Sequence, residues 1–311
     1  MTLPALVQGL VPVLAAPLVN GVVRKVKARL QGRRGASVWQ PYYDLAKLFA
    51  KDAVVSEDAS WLFRAAPGLV FAALLTATWL LPVLMPSAAI AFGADLLLFV
   101  YLLAAARFFT LLAALDTGSA FTGMASSREA MLAALAEPAV LLALFITGLS
   151  AHSFRLGPMA AYALAHGGAL DAPMRLLALV ALLVMVVVET GRVPVDNPAT
   201  HLELTMIHEG LLLEHSGRHL ALMTWGAALK QALLLTLVID LFLPWGMATS
   251  AAPGAIAIAS AAYLAKLLGF GVVIGGLESA MAKMRLFQVP DLIGASFALS
   301  VLALISAALL G

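Results

Sequence analysis

The sequence contains no cysteine. A chain without thiolates cannot form disulfide bonds, and it cannot ligate an iron–sulfur cluster through cysteine. If the protein takes part in electron transfer, the electrons must therefore be carried by partner subunits. We expect no cofactor in this chain.

Charged side chains are scarce as well. Asp, Glu, Lys and Arg make up 12% of the 311 residues, whereas soluble domains average about 25%. Hydrophobic residues make up 62%, and the mean hydropathy is +0.98. This composition excludes a soluble domain and indicates an integral membrane protein. The net charge of +2, with many basic residues in one loop, indicates a lipid or protein surface and not a nucleic-acid partner.

Long apolar runs account for most of the chain. Eight of them approach the roughly 20 residues that a helix needs to cross a bilayer, and the fifth is the shortest. Because the hydrocarbon core offers no water to satisfy the backbone, these runs must be helices. The sequence therefore predicts an all-α integral membrane protein with about eight transmembrane helices in one domain, residues 1–311. The runs extend from about Leu3 to Val23, Pro67 to Met85, Leu96 to Leu115, Ala130 to Ser150, Pro173 to Glu189, Leu220 to Leu243, Ala255 to Leu277 and Leu292 to Leu310.

Basic residues are distributed unevenly among the loops. If the loops alternate between the two sides of the membrane, the side that holds residues 24–66 carries fourteen Lys and Arg. The other side carries two, Arg155 and Arg175. Cytoplasmic loops show such an excess of basic residues. We therefore expect a multi-pass protein of the cell inner membrane with both termini outside and with loops 24–66 and 190–219 inside.

The first inner loop has the pattern of a surface helix. After Pro41, the residues Tyr42, Leu45 and Phe49 fall on one helical face, and Asp44, Lys47 and Lys51 fall on the other. Such a helix can lie on the membrane surface. Two interpretations stay open: a lipid-facing loop that only determines topology, or a docking surface for a cytoplasmic partner.

Ionisable residues recur inside the predicted spans. Each costs roughly 2.5 to 3.5 kcal/mol at a helix centre, so they must face one another, a partner or water. For Arg107 and Glu278 a structural ion pair explains the position as well as any function does. For the acids together, a hydrated proton path is the better explanation. The seven residues are Arg107, Glu137, Glu189, Lys230, Asp240, Lys266 and Glu278.

The segment 186–218 interrupts this apolar pattern. Prolines 194 and 198 end the fifth span, and Asn197 is suited to cap a new helix, which we predict from Pro198 to Gly217. His201, His208 and His215 recur along it at intervals of seven. Because that spacing separates neighbours by about 10.5 Å, one metal ion cannot bind all three. A polar stripe or a proton-exchanging surface explains them better.

Three motifs carry a resemblance to a known family. The segment from Glu189 to Leu204, ETGRVPVDNPATHLEL, is the longest; it is accompanied by GRRG at 32–35 with QPYYDLAKL at 40–48, and by SRE at 127–129 with LAEP at 135–138. Together they resemble the subunit 1 family of respiratory complex I. They are most similar to its hydrogenase branch, the membrane subunits of group 4 nickel–iron hydrogenases such as formate hydrogenlyase and hydrogenase-4.

The resemblance implies a non-redox subunit that anchors a cytoplasmic electron-transfer arm and contributes a proton or Na⁺ path. The implied partners are hydrogenase large and small subunits, an iron–sulfur subunit and antiporter-like membrane subunits, with the iron–sulfur clusters and the NiFe centre in those partners. The predicted path comprises Glu129, Glu137, Glu189, Asp196, Glu203, Glu209, Glu214, Lys230, Asp240 and Lys266. The predicted docking residues are Arg33, Arg34, Gln40, Tyr43, Asp44, Lys47 and Arg192. We predict no catalytic residue and no metal ligand.

One departure from the family bears on quinone binding. Quinone-reducing relatives read Arg-x-Pro-Phe-Asp-Leu-Pro-Glu, whereas this chain has Val195, Asn197 and Ala199 in place of the Phe, the Leu and the last Glu. This favours the hydrogenase branch over a quinone-site subunit of an NADH dehydrogenase-like complex. Two further interpretations stay open, a purely structural membrane anchor and a stand-alone transporter.

Overall fold

The computed structural model describes residues 3–90, 93–167, 173–197 and 206–310. Over these ranges the chain forms ten α-helices, two short 3₁₀ turns and no β-strand. The prediction of an all-α protein is confirmed. The helices are α1 Leu3–Leu30, α2 Gln40–Phe49, α3 Trp61–Leu80, α4 Asp95–Asp116, α5 Ala120–Ser150, α6 Leu156–Ala165, α7 Pro173–Glu189, α8 Gly217–Phe242, α9 Pro253–Ala280 and α10 Val289–Leu310.

Seven helices in the described ranges are long and apolar enough to cross a membrane: α1, α3, α4, α5, α8, α9 and α10. The predicted fifth span corresponds to α7, whose 17 residues extend about 25 Å. The predicted runs fall within or beside these helices, but several helices extend beyond the apolar stretch. Helix α5, for example, begins at Ala120, ten residues before the predicted start, because the polar segment around Ser126 and Arg128 is also helical.

Local sequence explains several helix ends. The side chain of Ser60 accepts a hydrogen bond from the backbone N–H of Leu62 at 3.1 Å and so caps α3. Helices α2 and α9 begin with Pro41 and Pro253 in the first turn, where a missing N–H has no cost. The amphipathic helix predicted in the first inner loop is confirmed as α2, with Leu45 buried and Lys47 exposed.

Helix α8 is the centre of the bundle. In its most apolar 18-residue stretch 72% of the residues are buried, whereas the corresponding value for α9 and α10 is 22%. It packs against α1, α3, α7 and α9. Close approach of α1 and α9 requires Gly275, because a Cβ there would lie 2.9 Å from the Cβ of Val26. Polar groups on α8 therefore meet groups from most of the bundle.

The helix predicted from Pro198 to Gly217 is wrong over its described part. Residues 206–216 contain only the 3₁₀ turn Glu209–Leu212, and Gly217 begins α8 instead of ending a helix. Hydrogen bonds between residues far apart in sequence explain why no α-helix forms here. The hydroxyl of Ser216 donates to the carbonyl of Val54 at 2.9 Å and accepts from its N–H at 2.8 Å. These bonds hold Ser216 in an extended conformation beside the first inner loop.

Candidate functional site

Arg107 on α4 is the centre of a buried charge cluster. Its Nη2 donates to both carboxylate oxygens of Glu189 on α7, at 2.9 and 2.8 Å. Its Nη1 lies 3.7 Å from Glu137 Oε1 and its Nε lies 3.9 Å from Glu129 Oε1, both on α5. Lys230 on α8 approaches Glu189 from the other side, with Nζ 2.8 Å from Oε2. Four helices therefore contribute charge to one site.

The cluster continues through His208 to Asp196. His208 Nε2 lies 3.3 Å from Glu129 Oε2, and His208 Nδ1 lies 3.9 Å from Asp196 Oδ2. The segment is held in place by Arg128, which donates to the carbonyl of Met206 at 3.1 Å. Glu137, Arg107, Glu129, His208 and Asp196 thus form a continuous series from α5 to the connection between α7 and α8.

The charges of this series reinforce one another. Burial alone would raise the pKa of Asp196, but the neighbouring His208 and Lys283 stabilise its charged form and lower the pKa well below its usual value. Burial alone would lower the pKa of His208, but the carboxylates of Glu129 and Asp196 raise it above its ordinary value. The two carboxylates therefore favour the protonated form of the His208 imidazole.

A second ionic group holds the loop after α7 to the bundle. Arg192 donates to Glu278 Oε1 on α9 at 3.3 Å and also to the side chains of Asn20 and Gln231. Lys27 on α1 donates to the other oxygen of Glu278 at 3.2 Å. Glu278 is thus neutralised by two cations, as the ion-pair interpretation requires.

Two cavities adjoin the charged groups. The larger, of about 750 Å³, is lined by Asp196, His208 and Gln231 and reaches the exposed residues Arg24 and Arg33 of the first inner loop. The smaller, of about 120 Å³, is lined by Arg107, Glu129, Glu189 and Lys230. Thr190, His208, Leu212 and Ala227 line both cavities. The smaller cavity has room for several water molecules, so the acids border space that water can occupy.

Four other predicted path residues with described positions, Asp240, Lys266, Glu209 and Glu214, are not members of this series. Both carboxylate oxygens of Asp240 are buried and find no hydrogen-bond partner in the described part of the chain. Lys266 instead donates to the carbonyls of Leu243 and Trp245, at 2.9 and 2.8 Å, beyond the end of α8. Glu209 and Glu214 are exposed, and Glu209 lines the larger cavity. Glu203 lies outside the described residues.

Most of the predicted docking residues lie in the first inner loop and on α2. Arg33, Arg34, Tyr43 and Lys47 are exposed, whereas Gln40 and Asp44 are half-buried and joined by a hydrogen bond of 2.9 Å. Arg192 instead points inward and pairs with Glu278, so it holds the loop after α7 to the bundle. Docking at all seven positions stays a prediction.

Tertiary contacts bring in residues that the sequence prediction of the site did not include: Arg107, His208, Glu278 and Lys283. The sequence does show that these four residues carry an ionisable group inside or beside an apolar run. It does not show which residues they contact. Of the three periodic histidines, His208 joins the acids, His215 stacks on Phe63 at 4.3 Å between ring centres, and His201 lies outside the described residues. The described residues contain no group of three His, Cys, Asp or Glu that could hold a metal ion.

Comparisons with known proteins give a consistent picture. Residues 4–308 match the NADH dehydrogenase family. The chain is 35% identical over 301 residues to formate hydrogenlyase subunit 4 of Escherichia coli strain K12, covering 97% of each chain. It is also 35% identical over 300 residues to hydrogenase-4 component C of the same strain, covering 96% of this chain and 93% of that protein. Among solved structures, a chain of the membrane-bound sulfane sulfur reductase, an archaeal respiratory membrane complex, shares the fold with a TM-score of 0.84 at 17% identity, covering 97% of this chain and 98% of that chain.

Proposed function

Because the chain belongs to the NADH dehydrogenase family, and within it to the group 4 hydrogenase membrane subunits, we propose that it links a cytoplasmic hydrogenase arm to ion movement across the membrane. It is a multi-pass membrane subunit of this class. In the proposal, electrons stay in partner subunits that hold the iron–sulfur clusters and the NiFe centre. This chain anchors those partners and supplies a path for protons, or for Na⁺.

The observation that carries the proposal is the series from Asp196 through His208 and Glu129 to Glu137. Glu129 Oε2 is within hydrogen-bond reach of His208 Nε2, at 3.3 Å. A proton that enters from the larger cavity can therefore pass from the imidazole to the carboxylate in one step. The smaller cavity, lined by Glu129, Glu189 and Lys230, provides space for water beside Glu129.

Glu137 is suited to be the exit of this path. Its side chain is 42% exposed, whereas those of Glu129 and Glu189 are each 7% exposed. An exposed carboxylate within a spanning helix needs a polar neighbour. An antiporter-like membrane subunit beside α5 would supply this polar neighbour, and protons would pass laterally from Glu137 into that subunit.

Arg107 and Glu189 have a different role in this proposal. An arginine does not release its proton in proteins, so Arg107 cannot be a relay. Glu189 is held by two cations at 2.8 Å, which stabilises its charged form. We assign both as fixed charges that set the proton affinity of Glu129 and Glu137. A change of charge on either glutamate would alter the attraction of Arg107 for the other.

The first inner loop is the proposed docking site of the hydrogenase arm. The side chains of Arg33, Arg34, Tyr43 and Lys47 are exposed, and Arg24 and Arg33 of the same loop line the larger cavity. A partner docked there would cover the route by which protons reach His208. This arrangement would link electron transfer in the partner to proton access in this chain.

The test is Glu129→Gln in the complete complex, with Glu57→Gln as the control for loss of one exposed carboxylate. Membrane vesicles are assayed for hydrogen evolution and for ion uptake with a fluorescent pH or Na⁺ indicator. We expect Glu129→Gln to assemble normally and to lose ion uptake by at least about tenfold, because one relay group is removed. Full ion uptake in an assembled Glu129→Gln complex would favour a purely structural anchor instead.

A further inference from the structure

The connection between α9 and α10 is tied to the segment that carries Asp196. Lys283 Nζ lies 2.9 Å from Asp196 Oδ1, and the N–H of Met284 donates to the carbonyl of Pro194 at 2.8 Å. Arg192, in the same segment, pairs with Glu278 at the end of α9. Residues remote in sequence therefore control the surroundings of Asp196.

The Asp196 carboxylate does not depend on Lys283 for its position. The backbone N–H of Asn197 donates to Oδ1 at 2.8 Å, and those of Ile207 and His208 donate to Oδ2 at 3.0 and 3.2 Å. Three backbone donors suffice to fix a carboxylate. What Lys283 adds is mainly a positive charge beside a negative one.

That added charge matters for His208. The imidazole lies between the carboxylates of Glu129 on α5 and Asp196, with the charges of Glu189 on α7 and Lys230 on α8 also acting on it. An uncompensated negative charge on Asp196 would hold the proton on His208 and oppose its release. An ammonium 2.9 Å from Asp196 weakens that hold.

We propose that Lys283 is a positioning residue for proton exchange at His208: its ion pair with Asp196 keeps that carboxylate from trapping the proton that His208 passes to Glu129. The meaning of this exchange for ion movement rests on the proposed function. In the step itself, Nε2–H of the imidazolium gives its proton to Glu129 Oε2, leaving a neutral imidazole and a neutral carboxyl. A proton from the larger cavity then reloads the imidazole.

The experiment measures the proton affinity of His208 directly. In the purified complex, exchange of the imidazole C2 hydrogen for deuterium is followed by mass spectrometry over a series of pH values. We expect Lys283→Gln to raise the midpoint for His208 by about one pH unit, because a cation less than about 10 Å away is removed. Lys283→Arg keeps the charge and should restore the original midpoint.

Two controls accompany this measurement. Arg285→Gln removes the same charge from an exposed position in the same connection and should leave the His208 midpoint unchanged. The exposed His152 provides an internal reference in every sample. If the His208 midpoint stays the same or falls in Lys283→Gln, Lys283 has only a structural role and the proposal is overturned.

Ion uptake provides the second measurement. Lys283→Gln should shift the pH profile of ion uptake toward alkaline pH, since a more tightly held proton is released only at higher pH. The two proposals fail in different ways. Unchanged uptake in Glu129→Gln contradicts the proposed function, but it does not affect the deuterium-exchange midpoint by which the role of Lys283 is judged.

Discussion

Replacing Arg107 with leucine should expose how much of the cluster depends on one cation. The Arg107 side chain is 8% exposed and interacts with three glutamates, at 2.8, 3.7 and 3.9 Å. Without it, the three carboxylates would remain beside Lys230 and His208, the positive neighbours found among the described residues. Removing one partner of a buried ion pair costs about 3–5 kcal/mol because the other charge stays buried and uncompensated.

The loss should be visible in thermal unfolding of the detergent-solubilised complex, followed by intrinsic tryptophan fluorescence. At about 2 °C per kcal/mol, we expect Arg107→Leu to lower the unfolding midpoint of this subunit by about 6–10 °C. The loss should shrink at lower pH, because protonation of one glutamate restores the charge balance.

A double variant separates the effect of charge from that of packing. Arg107→Leu combined with Glu189→Leu removes one charge of each sign, so the double variant should be more stable than the sum of the two single losses predicts, by about 1–3 kcal/mol. Strictly additive losses would mean that Arg107 stabilises the bundle by packing and not by charge, and the description of a coupled cluster would then be wrong.

Three further predictions concern stability. Burial, together with the charge of His219, lowers the pKa of His215 from 6.5 to about 4. Between these two pH values the unfolded chain therefore binds more protons than the folded chain. Stability that is present above pH 6.5 is lost as the pH falls toward 4, by at most about 3 kcal/mol. His215→Phe should remove this pH dependence of the unfolding midpoint, and an unchanged dependence would contradict the assignment. Asp240→Leu should maintain or raise the unfolding midpoint, because it removes a buried carboxylate without a hydrogen-bond partner in the described chain. Asp116→Leu, the control, should lower the midpoint, because that carboxylate accepts hydrogen bonds from the backbone N–H groups of Ser60 and Phe63. Gly275→Ala should lower the unfolding midpoint, because the added Cβ separates α1 from α9. Gly276→Ala should leave the midpoint unchanged, because no neighbouring atom lies within 4 Å of its added Cβ. Equal effects of the two variants would show that the close approach of α1 and α9 is unimportant.

Hydrophobic periodicity and length were enough to predict the membrane class, the all-α fold and most of the spans. Those features are local: a run of about 20 apolar residues must become a helix wherever it lies in the bilayer. The surface helix α2 was also predictable, because the opposite faces of Leu45 and Lys47 need only ten residues of helix. The motif around Asp196 likewise indicated the family, since it depends on the order of residues along one short segment.

The arrangement of the site was decided by the tertiary structure alone. Glu129, Glu189, Arg107 and Lys230 lie on four different helices, and no spacing along the chain states which of them meet. The same limit explains the wrong helix over 206–216, where hydrogen bonds from Ser216 to Val54, 162 residues away, override the local preference. It also explains why sequence alone grouped Asp240 and Lys266 with Glu129 and Glu189, although the described contacts do not join them to the series that contains His208. Sequence determined which residues carry charge into the membrane, because the residue type alone fixes the charge. Packing of the helices determined which charges lie close enough to neutralise one another, because the partners come from different helices.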